Sequence, residues 1–206
     1  MRRASWATKH LLVVLMTAWV IAPAAAQTTP ANQGWTFTTR VLVTGSSDES
    51  DPPGYQVYST FALEAGLRRV LGKSFSAELN VHTESREVDS LVPEAEDRRL
   101  GSLELLPLNF FLQYRRSGGT LHPYAGLGVN ATFAWEKSGV LDSVDMQPSF
   151  GPAIQIGADL DLSPQVLLNA DLRWNRLRAD LENGGVPLTG IRLDPLALGV
   201  GLGFRF

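Results

Sequence analysis

Eight ionisable residues fall at even spacing inside short alternating stretches of this chain: Glu64 and Arg68, Glu78 and His82, Asp159 and Asp161, Asp171 and Arg173. Acids and bases held so close can do two things. One is proton transfer or nucleophilic attack, which needs a nucleophile within hydrogen-bond reach of a base. The other is mutual neutralisation, which lets charges of both signs sit out of water. The histidines beyond the first 26 residues are His82 and His122. Two positions to either side stand Asn80 and Glu84 for the first, and Thr120 and Tyr124 for the second, so neither has a serine beside it on one strand face. No catalytic residue is assigned, and the expectation is a protein that is not an enzyme. The acidic runs "SDESD" (47–51) and "EAED" (94–97) lack the ligand spacing of a calcium loop. They read as solvated loop charge, and neither a metal nor a cofactor is expected. "NAT" (130–132) matches a glycosylation sequon but falls inside an alternating stretch, where it carries no weight.

The elements that carry these residues repeat with period two. In "LLNADLRWNRL" (167–177), Leu168, Ala170, Leu172 and Trp174 fall on one face and Asn169, Asp171, Arg173 and Asn175 on the other. A helix would mix those sets, whereas a strand separates them. The same division marks 35–44, 57–71, 74–84, 100–115, 123–135, 150–162 and the ending "DPLALGVGLGFRF" (194–206), which makes eight strands. In the last, Leu196, Leu198, Val200, Leu202, Phe204 and Phe206 oppose Ala197, Gly199, Gly201, Gly203 and Arg205. The stretch 100–115 departs from the rule, because Leu105, Pro107 and Phe111 interrupt its polar face.

The chain begins with a basic start (Arg2, Arg3, Lys9), an apolar core "LLVVLMTAWVIA" and "AAA" at 24–26. This is the pattern of a cleaved export signal over 1–26. Its removal takes three of the 18 basic residues and none of the 21 acidic ones, moving the formal charge from −3 to −6. An acidic domain without a basic stripe argues against nucleic acid as a partner. The chain has no cysteine, so an exported domain must draw its stability from a core or from a surrounding bilayer. No later apolar run is long enough for a spanning helix, which leaves strands as the means of crossing a membrane.

Connector lengths alternate. Short turns near 71–74, 116–120 and 163–165 contrast with long polar connectors at 45–56, 86–99, 136–148 and 179–190. Short turns on one rim and long loops on the other describe an outer-membrane barrel, with the short turns in the periplasm and the long loops outside. The soluble alternative is a secreted, lipocalin-like barrel with its apolar face turned inward. Long strands, and glycine-rich polar faces suited to a narrow interior, favour the first. The expected fold is therefore all-β, an eight-stranded antiparallel transmembrane barrel over 35–206, preceded by a short periplasmic segment at 27–34. The last strand must pair with the first to leave no edge in lipid. Trp35, Tyr114, Trp135, Phe150, Trp174 and Phe206 lie near strand ends, where interfacial aromatic girdles belong.

"LPLNFFLQYR" followed by a turn and "HPYAGLGVNATFAW" resembles the outer membrane protein W (OmpW) family. The matching residues are Leu106, Pro107, Gln113, Tyr114, Pro123, Tyr124, Gly126, Gly128, Val129 and Asn130, with Asp194, Pro195 and terminal Phe206 in the closing strand. The resemblance covers about 100–206 and is loose over 35–99. It implies an integral barrel of the bacterial outer membrane with a narrow, partly apolar interior. It also implies passive passage of small hydrophobic molecules, with a lateral opening in the wall as one route. Leu105, Pro107 and Phe111 would then line the lumen, together with Glu64, Arg68, Glu78, His82, Asp159, Asp171 and Arg173. Phe204 and Phe206 resemble the C-terminal aromatic signal read by the outer-membrane assembly machinery. Partners implied are membrane lipid, lipopolysaccharide, that machinery and a hydrophobic solute. The other reading is a structural or adhesion barrel without transport, resembling the membrane domain of OmpA.

Overall fold

The structure is a computed structural model, and it describes residues 34–45, 55–57, 60–90, 99–138, 145–179, 181–183, 186–187, 191–192 and 194–206. The expected export signal over 1–26 lies outside the described residues, as does all of 27–34 except Gly34.

Eight strands follow one another in chain order. They are β1 (Trp35–Gly45), β2 (Thr60–Val70, preceded by Tyr55–Val57), β3 (Phe75–His82, resuming as Glu84–Ser90), β4 (Arg99–Arg115), β5 (Leu121–Lys137), β6 (Ser149–Asp161), β7 (Val166–Asn175) and β8 (Leu196–Arg205). Each pairs antiparallel with the next, and β8 returns to β1, with Thr36 opposite Arg205 at one end and Gly45 opposite Leu196 at the other. That ladder closes the sheet and leaves no free edge, as a bilayer requires. The tight turn after β4 depends on Gly118 and Gly119, whose φ values of 104° and 82° suit glycine.

Alternation along each strand sets an inverted distribution of polarity. Phe61, Leu127 and Phe150 point outward at 73, 72 and 73 % exposure, and Leu196, Leu198, Val200, Leu202 and Phe204 are exposed along β8. The inward set is largely polar: Thr38, Arg40, Glu78, Asn80, Asn109, Gln113, Gln155 and Asn169 are all buried. A soluble barrel would turn its apolar face inward, so the lipocalin-like alternative does not describe this chain. Here lipid takes the place of water around the wall.

Several strands run further than the alternation indicates. β3 continues to Ser90, where residues from 86 on read as connector, and β5 reaches Lys137. Within the long connectors, Arg178–Ala179 pairs with Ile191–Arg192, and Leu181–Asn183 lies between Val186–Pro187 and Asp145–Met146. The physical reason is that strand beyond the lipid needs no apolar face. Backbone pairing persists there while the period-two signal disappears.

Candidate functional site

Inside the barrel, seven side chains close into a ring across the bore. Arg40 on β1 donates through Nη1 to Glu64 Oε1 on β2 at 2.7 Å and through Nη2 to Glu78 Oε1 on β3 at 2.5 Å. Gln113 on β4 donates to Glu78 Oε2 and, at 2.9 Å, to Gln155 Oε1 on β6. Gln155 donates to Asp171 Oδ2 on β7 at 2.6 Å. Arg173 completes the circuit, donating to Asp171 Oδ2 at 2.5 Å and to both oxygens of Glu64 at 2.5 and 3.1 Å. Arg40 also reaches Asn80 Oδ1 at 3.0 Å and Asn169 Oδ1 at 2.5 Å. Every ring side chain is buried, and the Phe111 ring lies 5.5 Å from the Arg173 guanidinium. Charges removed from water are costly unless paired and hydrogen-bonded, and this arrangement supplies both.

The two strands absent from the ring make room for it. β5 presents Gly126 and Gly128 inward, and β8 presents Gly199 and Gly201. A Cβ on Gly199 would stand 2.6 Å from Asp171 Oδ1, and one on Gly126 would stand 3.2 Å from Gln113 Cγ. The glycine rhythm of the last strand thus leaves space for neighbouring strands: for side chains of Asp171 and Leu42 at Gly199 and Leu167 at Gly203, and for the β1 backbone at Gly201.

The structure brings Glu64, Glu78, Asp171 and Arg173 together in the ring. Arg68 and Asp159 pair at 2.7 Å nearer the short turns. His82 sits on the other side of the ring, its Nδ1 3.5 Å from Glu64 and its Nε2 3.8 Å from Glu84. Leu105, Pro107 and Phe111 are all buried, but at different depths: Phe111 lies opposite Gly128 at ring level, and Leu105 lies opposite Glu84 toward the long loops. Phe204 and Phe206 are outward, 41 and 49 % exposed, and the Phe206 N–H donates to the Trp35 carbonyl at 3.1 Å. Arg40, the hub of the ring, is absent from the residues singled out by sequence. Alternation over 35–44 would have found it, since it shares a face with Thr36, Thr38 and Thr44. Gln113, Gln155 and Asn169 were missed because uncharged amides carry no signal of pairing.

Along one seam of the wall the described ladder is interrupted. The β2–β3 ladder runs from Val70 opposite Ser76 to Glu64 opposite His82, and resumes with Val57 opposite Val88. Seven steps on β2 then face six on β3, so the two halves are one residue out of step. Between them Thr60–Leu63 stays paired with β1 and Glu84–Val88 with β4, but among the described residues no ladder joins the two stretches. Thr83 falls in the break between the two segments of β3. A groove of about 450 Å³ opens beside it, lined by Leu63, Ala65, Val81, Leu106 and Trp135 together with Glu64, His82 and Thr83. A cavity of about 10 Å³, beside His82, Glu84 and Pro107, lies on the long-loop side of the ring.

A closed eight-stranded wall, apolar without and charged within, defines an outer-membrane β-barrel. The profile of the OmpW family matches residues 38–206, and the chain belongs to that family. Outer membrane protein AlkL of Ectopseudomonas oleovorans is 34 % identical over 113 residues, which are 52 % of this chain and 49 % of that protein. The dibenzothiophene metabolism operon protein PahQ of Pseudomonas aeruginosa is 29 % identical over 113 residues, 52 % of this chain and 54 % of that protein. The matched part is about half the length of these curated relatives. Among solved structures, OprG of Pseudomonas aeruginosa aligns with a TM-score of 0.67 at 23 % identity, covering 84 % of this chain and 96 % of that one. AlkL in lipid bilayers gives 0.65 at 24 % identity, covering 88 and 94 %. The E. coli outer membrane protein W gives 0.61 at 18 % identity, covering 85 and 100 %.

Proposed function

We propose that this barrel admits small hydrophobic molecules through the outer membrane by a lateral route. They enter from the long-loop side, outside the cell, and leave through the β2–β3 seam into the lipid. The observation that carries this reading is the pairing of a blocked bore with an incomplete wall. The ring from Arg40 to Gln155 fills the interior with polar groups that a hydrocarbon cannot displace, because each would lose its partner. Just beyond the ring, no ladder among the described residues continues from Leu63 and Thr83, and the groove there is mostly apolar. Unpaired backbone facing hydrocarbon costs several kcal/mol per group, so a barrel that kept such a seam without use would be destabilised for nothing. A relative named for a dibenzothiophene metabolism operon agrees with an aromatic, sparingly soluble cargo. In this reading residues 1–26 direct export, the short turns face the periplasm, and lipopolysaccharide surrounds the long-loop rim.

Uptake of a fluorescent aromatic hydrocarbon into proteoliposomes tests the route. Ala65→Trp adds bulk to the wall of the groove and should cut uptake several-fold. Equal uptake by this variant and the natural protein would overturn the lateral route. The filled ring also favours a second reading, a structural or adhesion barrel resembling the OmpA membrane domain, which predicts no uptake above empty liposomes.

A further inference from the structure

The end of the barrel that carries the short turns holds more positive charge than its partners neutralise. Arg68 on β2 and Arg115 on β4 both donate to a single oxygen, Asp159 Oδ2, at 2.7 and 2.6 Å. The other oxygen of Asp159 accepts from Asn169 at 2.6 Å. That carboxylate is therefore fully engaged, yet Arg68 Nη1 and Arg115 Nε and Nη2 are buried and have no hydrogen-bond partner. The Arg68 side chain is 2 % exposed, and the Arg115 guanidinium is held 5.0 Å from the Tyr124 ring. Both arginines line a cavity of about 220 Å³, walled also by Lys73, Ser74, Ser117, His122 and Arg205. Asp161 is shared between Arg205 and His122. Glu78 lies opposite Arg68 across the strands, but its oxygens are taken by Arg40 and Gln113. Four cationic side chains thus stand against Asp159 and Asp161, an excess of two positive charges with His122 neutral. The ring, with two arginines and three carboxylates, carries one negative charge in excess and offsets only part of it.

The geometry points to a binding site for a phosphate group in this cavity. A buried donor without an acceptor is costly, and forked guanidinium groups match the oxygens of phosphate. A tetrahedral oxyanion offers acceptors to Arg68 Nη1 and to Arg115 Nε and Nη2 together, and Lys73 and Arg205 add charge at the mouth. The volume exceeds that of one phosphate, so the group can arrive free or attached to a lipid headgroup.

The test is a titration of the purified full barrel in maltoside micelles, followed by ³¹P NMR and calorimetry. One arm adds inorganic phosphate, and a second uses micelles doped with phosphatidylglycerol. Saturable binding in the first arm assigns a free anion, and saturation confined to the second assigns the headgroup. Arg68→Gln and Arg115→Gln should each weaken binding by about tenfold. Lys73→Gln, on an exposed turn and free of any packing role, should weaken it by a smaller factor while leaving the heat-modifiable gel mobility of the folded barrel unchanged. Asp159→Asn, which removes the competing negative charge, should tighten binding. Absence of saturable binding in both arms overturns the site, and so does binding that Lys73→Gln and every foldable arginine variant leave unchanged.

Discussion

Arg40 bonds to side chains of three other strands, Glu64 on β2, Glu78 and Asn80 on β3 and Asn169 on β7, and so ties the wall together from inside. Its loss would leave Glu64 and Glu78 with fewer partners in a space closed to water. Removing one member of a buried charge pair costs about 3–5 kcal/mol. Arg40→Met is therefore predicted to lower the unfolding free energy of the micelle-bound barrel by that much and to shift its urea midpoint down, and paired unfolding curves check it. Replacing both members of a contact by apolar groups is far milder, so Arg40→Met combined with Glu78→Met should recover part of the loss. Gly201 sets the opposite limit, since a Cβ there would collide with the Thr39 carbonyl oxygen across the β1–β8 ladder. Gly201→Val should prevent closure, read as loss of the heat-modifiable folded band on a gel.

At the scale of elements, β8 and the β2–β3 seam play opposite parts. β8 completes the wall, and its last residue extends the closing ladder through the Phe206 N–H bond to Trp35. Deleting Phe206 removes this bond and the terminal aromatic together. The expected result is a fall in assembled protein in the membrane fraction, with uptake per assembled barrel unchanged. Normal assembly of the deletion variant at low expression would refute the assembly role. At the seam, in contrast, the described ladder is interrupted, and seven steps on β2 face six on β3. Such an offset bends and twists the strand locally and re-aims its side chains. Here Glu64 and His82 stand with Thr39, Arg40 and Thr83 beside a mostly apolar groove.

At the scale of the whole molecule, the barrel is layered along its axis. A positively charged mouth at the short turns is followed by the ring, then by a zone containing buried Leu42, Leu105 and Pro107, with Glu84 paired to Arg86 at 2.9 Å. An interior of eight strands is barely wide enough for its own side chains, and this one is filled. The intact barrel should therefore show no steady ion conductance in planar bilayers. Arg173→Ala, which cuts the ring at Glu64 and Asp171, should raise conductance measurably if the protein still folds. A large steady current through the natural protein would contradict the closed ring.

How much of this was written in the chain can be judged residue by residue. The alternation of Leu168 with Asn169, or of Leu198 with Gly199, determines which face meets lipid, because successive strand side chains point to opposite sides. Apolar faces on eight such strands, with short and long connectors in turn, dictate a barrel in a membrane. The inward placement of Glu64, Glu78, Asp159 and Arg173 followed from the same parity. Parity carries no information on partners, however. Closing the sheet brought Arg40 to Glu78 and Gln113 to Gln155, contacts 38 and 42 residues apart in the chain. The break in the described ladder at Leu63 and Thr83 likewise depends on the register of two strands against each other, which either strand alone leaves undetermined. The sequence by itself determined the fold, the faces and the membrane. The tertiary structure alone decided which charges neutralise one another, where the ring crosses the bore and where the described ladder between β2 and β3 breaks, because those properties belong to pairs of strands.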